Sequence, residues 1–180
     1  MFEKEHGLFC LKPGKHLITL IVIVLAALLS DIGFSKELDF SKDFKNIPSS
    51  IQTPQALAEW LSSEFSYRME LVDQWQKPQE TIDSKAGDCE DFAILASACL
   101  TRLGIANNVI ILKFRDLDIS HAVCLWKDKD GSYNFISNGK LQRTGKRHIE
   151  SAIGKFYPDC EKIIFQEPGK YCKKAMARNF

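Results

Sequence analysis

The stretch Lys85-Ala86-Gly87-Asp88-Cys89-Glu90-Asp91-Phe92-Ala93 sets a turn glycine and a capping carboxylate directly ahead of an apolar run. This spacing predicts a helix that begins at Asp88 or Cys89 and ends near Gly104. Cys89, Phe92, Ala93, Ala96, Cys99, Leu100 and Leu103 recur along one stripe, the pattern of a helix buried against other elements. Cys89 then stands in the first turn, where unpaired backbone N–H groups and the positive end of the macrodipole favour an anion. A cysteine so placed and paired with a histidine is expected to have a lowered pKa and to act as a nucleophile, with N–H groups nearby to hold an oxyanion. Cys99 and Cys124, inside apolar runs, read as small buried thiols.

Downstream, three runs read as strands of an antiparallel sheet: Asn108 to Phe114, Ser120 to Lys127 and Ser132 to Asn138. Asp128-Lys129-Asp130-Gly131 is turn chemistry between the last two. With those four residues as the loop, Lys127 faces Ser132 and His121 faces Asn138, while Ser137 points to the other side. Asn138 could then accept the imidazole Nδ1–H and leave the second ring nitrogen to take the thiol proton. A loop one residue longer or shorter reverses the parity and brings Ser137 beside the histidine; Asn138-Gly139 could also simply close the strand in a turn. Upstream, Thr53 is an N-cap with Pro54 at the first helical position, and Leu57, Trp60, Leu61 and Phe65 form an apolar face. The C-terminal third suggests a helix from His148 to Tyr157 and a strand around Lys162 to Gln166, with no chemistry assigned to either.

The run from Trp75 to Thr81 (Trp-Gln-Lys-Pro-Gln-Glu-Thr), followed by Gly87-Asp88-Cys89-Glu90-Asp91-Phe92-Ala93, resembles the W-x-x-P-x-E-T and G-D-C-E-D-x-A signature of bacterial transglutaminase-like cysteine peptidases. The similarity continues through Leu103-Gly104-Ile105 and His121-Ala122-Val123 and covers roughly residues 55 to 140. It implies an α+β, papain-like transglutaminase core with the nucleophile helix packed on a small antiparallel sheet. It also implies a triad of Cys89, His121 and Asn138. The third member in such enzymes is commonly Asp, whereas this strand ends Ser137-Asn138. Trp75, which opens the signature, is a candidate for substrate binding. Asp88 and Glu90 are expected to turn away from the thiol or be neutralised; Asp88 suits an N-cap. The resemblance also implies that Asp88 and Glu90 could bind calcium, although no cofactor is required by the chemistry. The activity implied is hydrolysis of a protein or peptide through an acyl-enzyme. The alternatives are acyl transfer to an amine, or an inactive transglutaminase-like binding module. The other exported Cys-His endopeptidases follow their cysteine with Ser-Gly, unlike Glu90-Asp91.

The whole chain has 180 residues, 45% of them hydrophobic and 11% aromatic, so it can bury a core and is not disordered. A net charge of +1 gives no general attraction to nucleic acid, and no nucleic-acid partner is expected. Lys12 and Lys15 precede an apolar run from Leu17 to Leu29, so residues 1–35 read as a signal peptide or signal anchor. Residues 36–52 read as a linker and 53–180 as the domain. The expected location is periplasmic or extracytoplasmic, with membrane association through residues 17–29. None of the six cysteines forms a C-x-x-C pair, which argues against zinc, while Cys160 and Cys172 could form a disulfide after export. Lys140, Arg143, Lys146 and Arg147 read as a solvated basic face, or as an approach for an acidic peptide or anionic lipid.

Overall fold

Thr53 caps α1 (Pro54–Glu64): its side-chain oxygen accepts the Ala56 N–H at 3.1 Å, and Pro54 occupies the first turn, where a missing N–H breaks no bond. Leu57, Trp60 and Leu61 are buried, as is Phe65 just past the end, so the predicted apolar face is the packed one. β1 (Ser66–Tyr67), α2 (Pro78–Ser84), β2 (Ala86–Gly87) and the long α3 (Cys89–Arg102) follow, with β1 and β2 paired in parallel. Next come β3 (Asn107–Phe114), β4 (Ser120–Lys127), β5 (Tyr133–Ser137), β6 (Lys140–Lys146), α4 (Ile149–Gly154) and β7 (Cys160–Phe165). The computed structural model describes residues 45–69, 74–115, 117 and 119–166, all within the unit Leu38–Phe180. The export segment at 1–35 and Cys172, and with it the question of whether Cys160 and Cys172 pair or stay free thiols, lie outside these residues.

The five-stranded sheet has the order β6-β5-β4-β3-β7, antiparallel throughout, and the α+β class is as predicted. On one face Cys124, Trp126 and Ile136 pack against Phe92, Leu95, Cys99 and Leu100 of α3, with α1 behind them. The opposite face carries Ile110, Leu112, Val123, Leu125 and Phe135, covered by Ile153 of α4. Helix α3 therefore touches neighbours all round, and its residues from Glu90 to Leu100 are buried. It stops where Gly104 turns left-handed at φ 73°, with Gly104 N–H donating to Thr101 O and Ile105 N–H to Leu100 O, both at 2.9 Å. Ile51 is buried and Ile47 packs beside it, so part of the stretch expected as a linker contributes to the core.

The hairpin between β4 and β5 departs from the expected register. Lys127 pairs with Tyr133, not Ser132, and Cys124 pairs with Ile136. Ser132 belongs to the turn because Asp130 Oδ1 accepts both its N–H at 2.8 Å and its O–H at 2.7 Å, while its carbonyl accepts the Asp128 N–H at 2.7 Å. A slip of one residue reverses every side chain. Ser137, not Asn138, consequently shares a face with His121. Asn138 (φ 46°) and Gly139 (φ 75°) form the two-residue connection to β6, closed by the Ser137–Lys140 pair. Asn-Gly suits such a turn because both positions need positive φ. A Cβ at residue 139 would also approach Leu61 Cβ to 3.2 Å, and Ser62 Oγ donates to Gly139 O at 2.8 Å.

Candidate functional site

The first turn of α3 is fastened by carboxylates. Asp88 is the N-cap residue and forms a reciprocal capping box with Asp91. Asp91 Oδ2 accepts the Asp88 N–H at 3.2 Å, and its Oδ1 accepts the Gln76 N–H at 2.7 Å. Only glycine fits at residue 87, since a Cβ there would lie 2.6 Å from Asp91 Cβ and Oδ2. These contacts fix where Cys89 begins the helix and support the capping role expected of Asp88.

Of the two expected arrangements, turning away or being neutralised, the first does not hold for Glu90: Cys89 Sγ–H donates to Glu90 Oε2 at 3.1 Å. The thiol pKa is raised, first by burial and then by the Glu90 charge, while the Ala122 N–H pointing at the sulfur opposes them. The lowering expected from the helix N-terminus is thus outweighed. Burial holds the His121 imidazole below its ordinary value of 6.5. Both groups rest neutral at pH 7.

His121 Nε2 lies 2.8 Å from Ser137 Oγ, which in turn lies 2.7 Å from Tyr157 Oη. The Tyr157 ring sits 5.4 Å from the imidazole at 49°. Among the described residues no hydrogen bond joins Cys89 to His121. Cys89 nonetheless packs against the same apolar cluster as Ala122, the residue after His121. Nδ1 is the ring nitrogen that Ser137 does not engage.

The expected partnership of His121 with Asn138 is not formed, for the register reason already given. Among the described residues, Asn138 Oδ1 is buried and has no hydrogen-bond partner. Trp75 is half-buried in the same apolar cluster as Cys89, with Ala93, Ile94, Val109 and Ala122, where it can wall the approach to the thiol. Lys140, Arg143, Lys146 and Arg147 are exposed, three of them on the edge strand β6 and Arg147 just after it. Tyr157 was not singled out by any local signal: it follows α4 and reaches the site only through tertiary packing. As for metals, ligand atoms of Asp88, Cys89 and Glu90 lie within 4.8 Å of one another. The two buried carboxylates suit a hard cation such as calcium; the thiol sulfur does not.

A family profile described as a transglutaminase-like domain matches residues 35–137, more than half of the chain. The chain belongs to the transglutaminase-like family. The match takes in Cys89, His121 and Ser137 and stops short of Tyr157. The α+β core, with α3 packed on an antiparallel sheet, is the papain-like core of transglutaminase-like proteins. A search of curated proteins found no match. Similar solved structures include Legionella pneumophila LapG in its calcium-bound form, 18% identical with a TM-score of 0.47, covering 86% of this chain and 94% of that one. EGTA-treated LapG is 20% identical with a TM-score of 0.46, covering 71% of this chain. The alignment spans 66% of the EGTA-treated chain, just under two thirds of its length.

Proposed function

We propose that this transglutaminase-like protein is an exported thiol acyl-hydrolase, a peptidase or amidase acting on a protein or peptide. The observation that carries the reading is the junction of the α3 N-terminus with the start of β4. There Cys89 packs in one apolar cluster with Ala122, the residue after a histidine whose Nε2 is engaged at 2.8 Å by Ser137 Oγ. In the reaction Cys89 Sγ attacks the substrate carbonyl carbon while its proton passes to His121 Nδ1. Ser137 Oγ accepts the Nε2–H and holds the ring, and N–H groups of the first turn of α3 face the developing oxyanion. Collapse expels the leaving amine with the proton from Nδ1, leaving a thioester on Cys89. Water, deprotonated by the same nitrogen, then releases the acid and regenerates the thiol; attack by an amine instead would give acyl transfer. Cys89→Ala should abolish turnover without lowering the Tm, and intact-mass spectrometry of the wild type with substrate should detect the acyl adduct on Cys89. Full activity in Cys89→Ala would overturn the reading.

A second reading, a binding module without turnover, is favoured by two specific observations: a hydroxyl in place of a carboxylate beside His121, and a thiol whose pKa burial and Glu90 raise. It predicts peptide binding with no acyl adduct and no change in Cys89→Ala.

Calcium is part of the proposal. Asp88 and Glu90 would hold it, and when bound it would neutralise the carboxylate charge beside the thiol. Export rests on Lys12 and Lys15 ahead of Leu17 to Leu29. Among the described residues no helix is long and apolar enough to cross a membrane, and the 17–29 run lies outside them. Fractionation of cells expressing the full chain, and of a form lacking residues 1–35, tests export: both forms remaining in the cytoplasm would contradict it.

A further inference from the structure

A carboxylate beside a histidine can only accept a hydrogen bond, which forces the ring proton onto the nitrogen that faces it. Ser137 lacks that property. Its hydroxyl can accept the Nε2–H, leaving Nδ1 bare for the thiol proton, or it can donate to Nε2, which leaves the ring proton on Nδ1 and blocks the base. The 2.8 Å contact fits both. The choice falls to the group on the far side of Ser137, the Tyr157 hydroxyl at 2.7 Å. Burial keeps this phenol protonated, and it is a stronger donor than an alkyl hydroxyl, whereas a neutral imidazole nitrogen is a good acceptor. A chain of hydrogen bonds running from the more acidic group to the more basic one polarises each link in the same sense.

Resting on the reading of His121 as the base, we propose that Tyr157 is a positioning residue that sets the His121 tautomer through Ser137 and holds the resting site with the ring proton on Nδ1. The protons balance: Tyr157 Oη–H donates to Ser137 Oγ, Ser137 Oγ–H donates to the Nε2 lone pair, and the one ring proton stays on Nδ1. In that state Nδ1 cannot accept from the thiol, which lies 3.1 Å from Glu90 Oε2 as a hydrogen-bond donor. Passing to the reactive state requires two hydroxyls to rotate and the ring to exchange its proton to Nε2. Tyr157 is well fixed for this role, with its N–H donating to Ile153 O at 2.8 Å and its ring tilted against both His121 and Phe135.

Two-bond ¹⁵N–¹H correlation spectra of the full chain, labelled on histidine nitrogens at pH 8, report the tautomer directly; His121 is assigned by its loss in His121→Gln. The wild type should show the proton on Nδ1. Tyr157→Phe should shift the ring toward Nε2–H and raise the rate of Cys89 alkylation by iodoacetamide severalfold at unchanged Tm. Ser137→Asp should give Nε2–H alone, and adding Tyr157→Phe to it should change neither spectrum nor rate. A wild-type ring already protonated on Nε2, or a Tyr157→Phe tautomer identical to wild type, overturns the proposal. The spectrum needs no turnover, so this failure is distinct from failure of the base assignment, which appears instead as unchanged alkylation in His121→Ala.

Discussion

Burial acts on Cys89 and His121 in one direction, favouring the neutral thiol and the neutral imidazole over a thiolate–imidazolium pair. The nucleophile must then be generated as the bond forms, with His121 required in its neutral form. Because burial holds the imidazole pKa below 6.5, the acid-side decline of kcat/KM, where the ring takes up a proton, should have its midpoint below pH 6.5. A decline centred above 6.5 would show an imidazole stabilised in its charged form. Ser137→Asp should raise kcat/KM by about tenfold or more, since a carboxylate fixes the Nε2–H tautomer and stabilises the imidazolium that forms. Asn138 has a different part. Its φ of 46° is one that Ala adopts at a cost of roughly 1–2 kcal/mol, so Asn138→Ala should lower the Tm by a few degrees and leave kcat/KM within about twofold. Asn138→Gly should keep or raise the Tm, because glycine accepts the conformation and a buried oxygen with no partner among the described residues is removed.

Among the elements, α3 and its cap were legible because their signals are local: Gly87, the capping carboxylates, the apolar stripe and Gly104 all lie within the segment they shape. The same holds for α1 with Thr53 and Pro54. The β4–β5 register was not legible, since it depends on whether Asp130 draws Ser132 into the turn, a side-chain contact that a count of loop residues does not contain. That single contact moved the partner of His121 from Asn138 to Ser137. Strand β6 was hidden by its basic residues, which suit an exposed edge strand by discouraging further pairing. Tyr157 was illegible for a more general reason: nothing within its own segment distinguishes it from any half-buried aromatic residue. The helix cap gives a direct test at this scale. Gly87→Ala should push Asp91 off the Asp88 and Gln76 N–H groups, costing about 1–3 kcal/mol and loosening the first turn that presents Cys89. Thermal unfolding measures the loss, and a Tm equal to wild type would show that Asp91 is not needed there.

Across the whole molecule, one sheet separates two apolar layers. α3 brings the thiol to the layer that holds Ala122, and α4 leads into the tyrosine behind the histidine on the other. The site thus forms at the end of β4, beyond the last β5 pair at Cys124–Ile136, where both layers reach the same strand. Calcium at Asp88 and Glu90 would bind the folded chain alone, so millimolar calcium should raise the Tm and EGTA should reverse the gain. No change in either direction would leave Asp88 with its capping role only. The central claim, that His121 serves Cys89 as its base, is tested without knowing the substrate by the rate of iodoacetamide alkylation at Cys89, followed by mass spectrometry at pH 7 in the wild type and in His121→Ala. The claim predicts that Cys89 outpaces the buried Cys99 and Cys124 in the wild type and slows by about tenfold or more in His121→Ala. Equal Cys89 rates in the two proteins would contradict it.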